Sequence, residues 1–368
     1  MRYLGYVAVG GCIIFLMMNY INIFLNVKLE KKYLKVILIG ITCAVGVIAL
    51  CTNPHIEDDL ARHFMHLDNF RKYGFSYAKD FTYSSSLVSL LLYYVISLTK
   101  YNNLLPLVAT VSFYFVCSLV ILKKISEPIK TRELSLYVIM FASFVYLNET
   151  VSGVRNPLAT ALFLLIFLYD TIEYRWYDFL YIIPILVHPA SIVMVGILLL
   201  SKFRIKYIKN RKIVYGIVFV PYICLGIAQV FPDNIFILSD IFQRLKIYSD
   251  FDYNLKFLDW RVQICFLIAF AILIYMYIRT RKKSLNNDSL LYDEFYANLI
   301  LFSLGVLPFP LIQGRYFTLL FILSLPYFLH ARELKKKERD VLIVVAYIIS
   351  FGMFLYRMTN AMHFWRFY

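Results

Sequence analysis

The sequence is short of charge. Only 17% of its 368 residues are Asp, Glu, Lys or Arg and 61% are hydrophobic, whereas a soluble chain carries about 25% charged residues. That balance excludes a water-soluble enzyme, with or without a membrane anchor, because too few polar side chains remain to cover one. Acidic residues are scarcer still, 23 against 38 basic ones, which leaves a net charge of +15. The basic residues sit in short clusters between apolar runs, as loops facing anionic lipid do, so nucleic-acid binding is set aside. Cysteine is sparse and unpaired. The six cysteines (Cys12, Cys43, Cys51, Cys117, Cys224, Cys265) lie in or beside apolar runs with no C-x-x-C spacing, which leaves them as small buried hydrophobes rather than metal ligands or disulfides. Walker, H-E-x-x-H and G-x-S-x-G motifs are missing. No internal repeat is visible, which weakens the case for a transporter of inverted halves. A cleavable leader is not expected either, since the run Tyr3 to Val27 is long enough to span and carries no small-x-small site.

What is present is a series of continuous apolar runs, where barrel strands would alternate every second residue. They predict an all-α, polytopic integral membrane protein of roughly 10–12 transmembrane helices, some broken or re-entrant. Residues 1–368 then form a single polytopic membrane domain. Spans are expected near 3–27, 34–51, 104–122, 134–148, 157–173, 213–231, 262–278, 295–312, 316–330 and 341–356, with ambiguous runs at 85–99 and 177–200. Five basic clusters, Lys28–Lys35, Lys123–Arg132, Lys202–Lys212, Arg279–Lys283 and Arg332–Arg339, are assigned to the cytoplasm by the positive-inside rule. The N-terminus, the C-terminus and the loops 52–84 and 232–260 then face outward. Parity holds only if 85–99 is a partial segment on the outer side and 177–200 is a hairpin broken at His188-Pro189, where Pro184 and Pro189 remove backbone donors.

A few residues stand out as chemistry. In the loop 52–84, Asp58 to Tyr73 has helical spacing, with Leu60, Phe64, Leu67 and Phe70 on one face and Asp59, Arg62, His63 and His66 as a dense polar set. Arg155 precedes a helix that carries Pro157 in its first turn, so guanidinium and free N–H groups point together at an anion. His188 lies deep in an apolar stretch, where an ionisable group is costly and faces an interior cavity. Arg315 is expected in a short outer turn between two spans, beside Gln313 and Gly314, and the aromatic loop 232–260 reads as a lid. This inventory suits binding of a lipid diphosphate and handling of a proton.

The stretch GVRNPLATALFLLIFLY, the break EYRWYDF and the run ILVHPASIVM, with Arg155 and His188 separated by 33 positions, resemble the EpsG/Wzy-type polysaccharide polymerases of bacterial inner membranes. The loop motif EDDLARHF and the late QGRYF match the same pattern. Departures are Asn156 where Gln is common, no Gly-x-Asp ahead of Asp59, and Gln313-Gly314 where an acidic residue often precedes the arginine. The resemblance implies a GT-C-like glycosyltransferase architecture in the inner (cytoplasmic) membrane with a periplasmic active site. It implies a polymerase that transfers a growing glycan, O-antigen or a related surface polysaccharide, from undecaprenyl diphosphate to a new lipid-linked unit. No nucleotide sugar, cofactor or metal is expected. Its expected partners are undecaprenyl-diphosphate-linked oligosaccharides, membrane lipids, and the chain-length regulator, flippase and ligase of the same pathway.

The residues themselves fit that chemistry. With no metal motif, arginine must hold the leaving diphosphate, and its bidentate fork suits this better than lysine. Arg155 and Arg315, with Arg62 as a third, are therefore candidate diphosphate ligands, and His188 or Asp59 the candidate base for the attacking hydroxyl. Two rivals stay open: a lipid-linked oligosaccharide flippase and a membrane O-acyltransferase, which would also use an intramembrane histidine. The orientation is directly testable. In intact spheroplasts, cysteines placed by Asn148→Cys and Asn234→Cys should react with an impermeant thiol reagent added outside, whereas Asn210→Cys should not; labelling of the last overturns the topology.

Overall fold

The computed structural model describes residues 2–25, 28–55, 58–81, 86–125, 129–145, 147–170, 176–207, 259–284, 290–307 and 310–361. Almost all of them are helical, as expected where apolar runs must pair their own backbone groups. In chain order the elements are α1 (Arg2–Leu25), β1 (Lys28–Leu29), α2 (Lys31–Cys51), α3 (Asp59–Tyr73), α4 (Leu87–Ser97), α5 (Leu104–Lys124), β2 (Ile129–Lys130), α6 (Thr131–Phe144), α7 (Leu147–Ser152), α8 (Arg155–Tyr169), α9 (Trp176–Leu180), α10 (Ile182–Val187), α11 (Ser191–Tyr207), α12 (Trp260–Ser284), α13 (Leu290–Gly305), α14 (Pro310–Leu323), α15 (Leu325–Leu329) and α16 (Lys336–Ala361). Stretches within α1, α2, α5, α12 and α16 are long and apolar enough to cross a bilayer, and Ile312–Leu323 with Leu325–Glu333, bent by 45°, form a sixth candidate span. The run expected at 213–231 and the loop expected at 232–260, up to residue 258, lie outside the described residues.

The chain divides into two compact units, residues 1–195 with 328–368, and residues 196–327. In the first, α2 packs on α1 and α5, α1 on α6, α6 on α16, and α5 on α8. Two contacts fix how α2 and α5 run. At one end β1 pairs antiparallel with β2, Lys28 opposite Lys130 and Leu29 opposite Ile129. At the other, the Asn103 side-chain amide donates to the carbonyls of Leu50 at 2.7 Å and Thr52 at 2.8 Å. The basic clusters at 28–35 and 123–132 therefore share one end, and everything from residue 52 to residue 103 begins and ends at the other. Helix α4, with 11 residues, is about 16 Å long, half of the roughly 30 Å hydrocarbon thickness. It is too short to cross by itself, which agrees with the partial segment expected at 85–99.

Helix α3 forms because its apolar residues recur at helical spacing, and it stops because Gly74 takes φ +61°, ψ −155°, a region open essentially to glycine alone. Leu60, Leu67 and Phe70 pack with Tyr93 of α4, Val154 before α8 and Val187 at the end of α10 in one buried cluster. Arg71 locks the arrangement from outside, with its Nε donating to the carbonyls of Ser97 and Thr99 that close α4.

In the second unit, α13 carries two adjacent buried carboxylates near its start, Asp293 in the first turn and Glu294 just after it. Arg281 Nε donates to Asp293 at 2.8 Å, and Arg204 pairs with Glu294. Acids at a helix N-terminus and arginines near the C-termini of α11 and α12 each suit the dipole they meet. Tyr327 and Arg281 share Asp293, while Asn298 reaches Ser201. Two of the basic clusters read from the sequence as lipid-facing thus each commit one arginine to a carboxylate inside the unit. Removing one partner strands the other charge, so Glu294→Ala should destabilise the protein by about 3 kcal/mol. Because Glu294→Ala and Arg204→Ala break the same pair, the double variant should lose less than the sum of the singles. Thermal unfolding in detergent measures this; additive losses contradict the pairing.

Candidate functional site

Helix α4 is the post on which the candidate residues are hung. Ser89 and Tyr93 are one turn apart and so share a face. The Ser89 hydroxyl donates to the Val187 carbonyl at 2.7 Å, at the end of α10 where His188 begins. The Tyr93 hydroxyl lies 2.6 Å from Nδ1 of His63 on α3. A single turn therefore carries the helix break at His188 on one position and the histidine of the first loop on the next.

On α3, Arg62 and His63 lie three and four positions after Asp59, one turn on along the same face. Arg62 holds Asp59 at 2.5 Å, and Oδ2 of Asp59 faces Nε2 of His63 at 3.8 Å. The expected charge pairs are present, but the expected polar face is not. His63 and His66 point inward and are 1% and 4% exposed, while Arg62 remains on the surface. The reason is the aromatic packing available beneath α3. His63 meets the Tyr93 ring, and His66 meets Phe81 edge-on and places Nδ1 2.8 Å from the Tyr77 hydroxyl. Burial with a hydroxyl partner is open to a neutral imidazole and closed to a carboxylate or guanidinium.

That packing sets the charge state. The His63 pKa falls to about 4, chiefly through burial; Asp59 opposes the fall, while Arg155, His66 and Arg62 add to it. His66 is lowered for the same reasons, burial first and then Arg155 and Arg62. Both rings are neutral at physiological pH. With a carboxylate facing Nε2, the proton of His63 is best placed there, so the Tyr93 hydroxyl donates to Nδ1.

Arg155 belongs to this cluster, since its charge acts on both histidines. It opens α8, with Pro157 in the first turn as expected. The loop before it is tightly determined. Gly153 N–H donates to the Glu149 carbonyl at 2.8 Å, and a Cβ on Gly153 would lie 2.6 Å from that oxygen. Val154 sits at φ +21°, ψ −64°, an unusual conformation for a β-branched residue and one that concentrates at functional sites.

The break expected at His188-Pro189 is present: α10 ends at Val187, His188 is extended at φ −144°, ψ 110°, and α11 starts at Ser191. His188 is half-buried there. Arg315 is placed differently from expectation. It lies inside α14, not in a turn, because Pro310 starts that helix early and Gly314 is accommodated within it. It also belongs to the second compact unit, while Asp59, Arg62, Arg155 and His188 share the first. Among the described residues no three His, Cys, Asp or Glu side chains group as metal ligands. Sequence reasoning passed over Tyr93, Ser89 and Tyr77, and grouped His63 and His66 with the solvated face. The usable signal was spacing: His63 and His66 alternate with Phe64 and Leu67 and so fall within the apolar arc of α3.

Comparison with known protein families, curated proteins and solved structures finds no match to this chain.

The buried histidines make stability depend on pH. Between the ordinary pKa of 6.5 and about 4, the unfolded chain holds a proton at His63 that the folded chain does not. Stability is therefore fully present above pH 6.5 and falls as pH drops towards 4, by up to about 3 kcal/mol from His63. Unfolding in detergent from pH 7.5 to 4.5 should show this loss, and His63→Gln should flatten it. An unchanged acid profile in that variant contradicts the assignment.

Proposed function

We propose that this chain is a GT-C-like polymerase of lipid-linked oligosaccharide repeat units, with roughly 10–12 spans, working on the periplasmic face of the bacterial inner membrane. The observation that carries the reading is the convergence of Asp59, Arg62, Arg155 and His188 around one face of α4, at the end of the bundle away from the β1–β2 ladder. These are the groups that transfer between lipid diphosphates needs.

Arg155 and Arg62 supply the positive charge. Arg155 sits at a helix N-terminus, where free N–H groups add to the guanidinium in holding a diphosphate. The leaving diphosphate gains charge as the glycosidic bond breaks, so donors fixed in place by Gly153 and Val154 favour the transition state over the ground state. Asp59 is the accessible carboxylate, its side chain 43% exposed, and is the base that takes the proton from the attacking sugar hydroxyl. Neutral His63 lies beneath it, with Nε2 3.8 Å from its carboxylate. His188, in the extended break, hydrogen-bonds the sugar.

Arg155→Lys keeps the charge and loses the fork, so polymer formation should drop by about 100-fold with the protein still in the membrane. Asp59→Asn should be as inactive, whereas His188→Gln should retain more activity than His188→Ala. The assay uses purified protein and undecaprenyl-diphosphate-linked repeat units, with chain length read on a gel. Normal polymer from Arg155→Lys overturns the role of that residue. In cells, loss of the protein should leave single repeat units on the lipid anchor; their absence would instead mark a flippase.

A further inference from the structure

A partly open cavity of about 150 Å³ lies among α1, α2, α5 and α6 of the first unit. Its lining is almost wholly apolar, with Phe15 from α1, Ile41 from α2, Ile121 from α5 and Phe141 from α6. Cavities of this size and lining stay dry, and hold a hydrocarbon about as large as benzene. An empty one forfeits the dispersion contacts of its walls. Its residues come from the middle of the long helices. Val45, for example, is six positions from the end of α2 at Cys51, about 9 Å along the axis. The space thus begins below the end of the bundle where Arg155 lies and continues towards its middle.

The cavity approaches the candidate site through α7. Leu147, the first residue of α7, lines the cavity and also packs against the cluster that holds Leu60, Val154 and Val187. Tyr114, another lining residue, lies close enough to Thr150 in the middle of α7 to feel its side chain. From there the chain passes through Gly153 and Val154 to Arg155. One short helix separates a cationic cluster from a dry apolar hole beneath it, which is the arrangement of charge and hydrocarbon in a lipid phosphate.

We infer that this cavity is the subsite for the first part of the polyprenyl chain of the lipid-linked substrate whose diphosphate is held at Arg155. The inference rests on the function proposed above. An isoprene unit is branched and close to benzene in carbon content, so it fills the hole better than the linear acyl chain of a bilayer phospholipid. Seating it there sets the depth of the diphosphate, and with it the register of the glycosidic bond against Asp59.

The test uses the full-length protein in phosphatidylglycerol nanodiscs and an undecaprenyl phosphate analogue, without sugar, bearing a diazirine in its first isoprene units. Crosslinks mapped by mass spectrometry should fall on cavity residues such as Phe15, Val138 and Phe141. Unlabelled undecaprenyl phosphate should displace them, and an equal excess of dioleoylphosphatidylglycerol should not. Ala142→Phe fills the hole from α6 and Cys12→Phe fills it from α1, so each should weaken labelling roughly tenfold or more. In the polymer assay each should lower kcat/KM by a similar factor, through KM and kcat together. Two substitutions on different helices guard against one failing to fold. Labelling confined to the lipid-facing surface, or displaced equally by phosphatidylglycerol, overturns the subsite. Arg155→Lys separates this inference from the reading it rests on. If that variant still polymerises while the cavity labels as expected, the diphosphate role fails and the hydrocarbon subsite stands.

Discussion

Two hydrogen bonds from one side chain govern the first half of the molecule. The Asn103 amide closes the chain on itself by holding the last carbonyls of α2, and the 52 to 103 excursion must then return to the side from which it left. Carbonyls at a helix end have no partner within the helix, and at a membrane edge they must find one in the protein or in water. Here a residue opening the next long helix supplies it. α3 and α4 become a folded cap on one end of the bundle instead of a further crossing. The cap is where hydroxyl, imidazole, carboxylate and guanidinium groups can be brought together without being exposed to lipid.

Within the cap, polarity is graded by depth. Guanidinium and carboxylate of Arg62 and Asp59 sit at the surface, and the neutral imidazoles lie one layer down, His63 against the fully buried Tyr93 and His66 against the partly buried Tyr77. The inner layer carries less charge and more apolar contact than the outer one. The desolvation that would make a buried charge costly keeps the imidazoles neutral, and the hydroxyls satisfy one ring nitrogen apiece. The same logic runs in reverse in the second unit, where full charges are buried but arrive as pairs, Arg281 with Asp293 and Arg204 with Glu294.

Much of this was legible in the residues, for identifiable reasons. Long apolar runs and basic clusters depend on composition over many positions, so the multi-pass helical architecture and the partial character of 85–99 followed. Proline chemistry is local, so the break at His188 and the start of α8 near Arg155 were also readable. Two things were not. The inward turn of His63 and His66 was hinted at by their places within the apolar arc of α3, but the partners that make it favourable, Tyr93, Tyr77 and Phe81, lie up to thirty positions away in the chain. The placement of Arg315 turned on whether Pro310 begins a helix or follows one, a choice of a few residues that moves the arginine from a turn into a helix. The carboxylates Asp293 and Glu294 were passed over because acidic residues at the edge of an apolar run read as loop until their arginines are seen.

The backbone at Val154 carries a consequence for the residue that can stand there. Conformations of this kind cost of order 1–3 kcal/mol. Glycine would relieve part of that cost, but Val154 is fully buried in the cluster with Leu60, Leu67 and Tyr93, and deleting its side chain would forfeit a comparable amount of packing. The strain is thus held in place by the side chain that suffers it. Neither a smaller nor a larger residue improves position 154, so the stability of the cluster and the aim of the arginine that follows are tied to one valine.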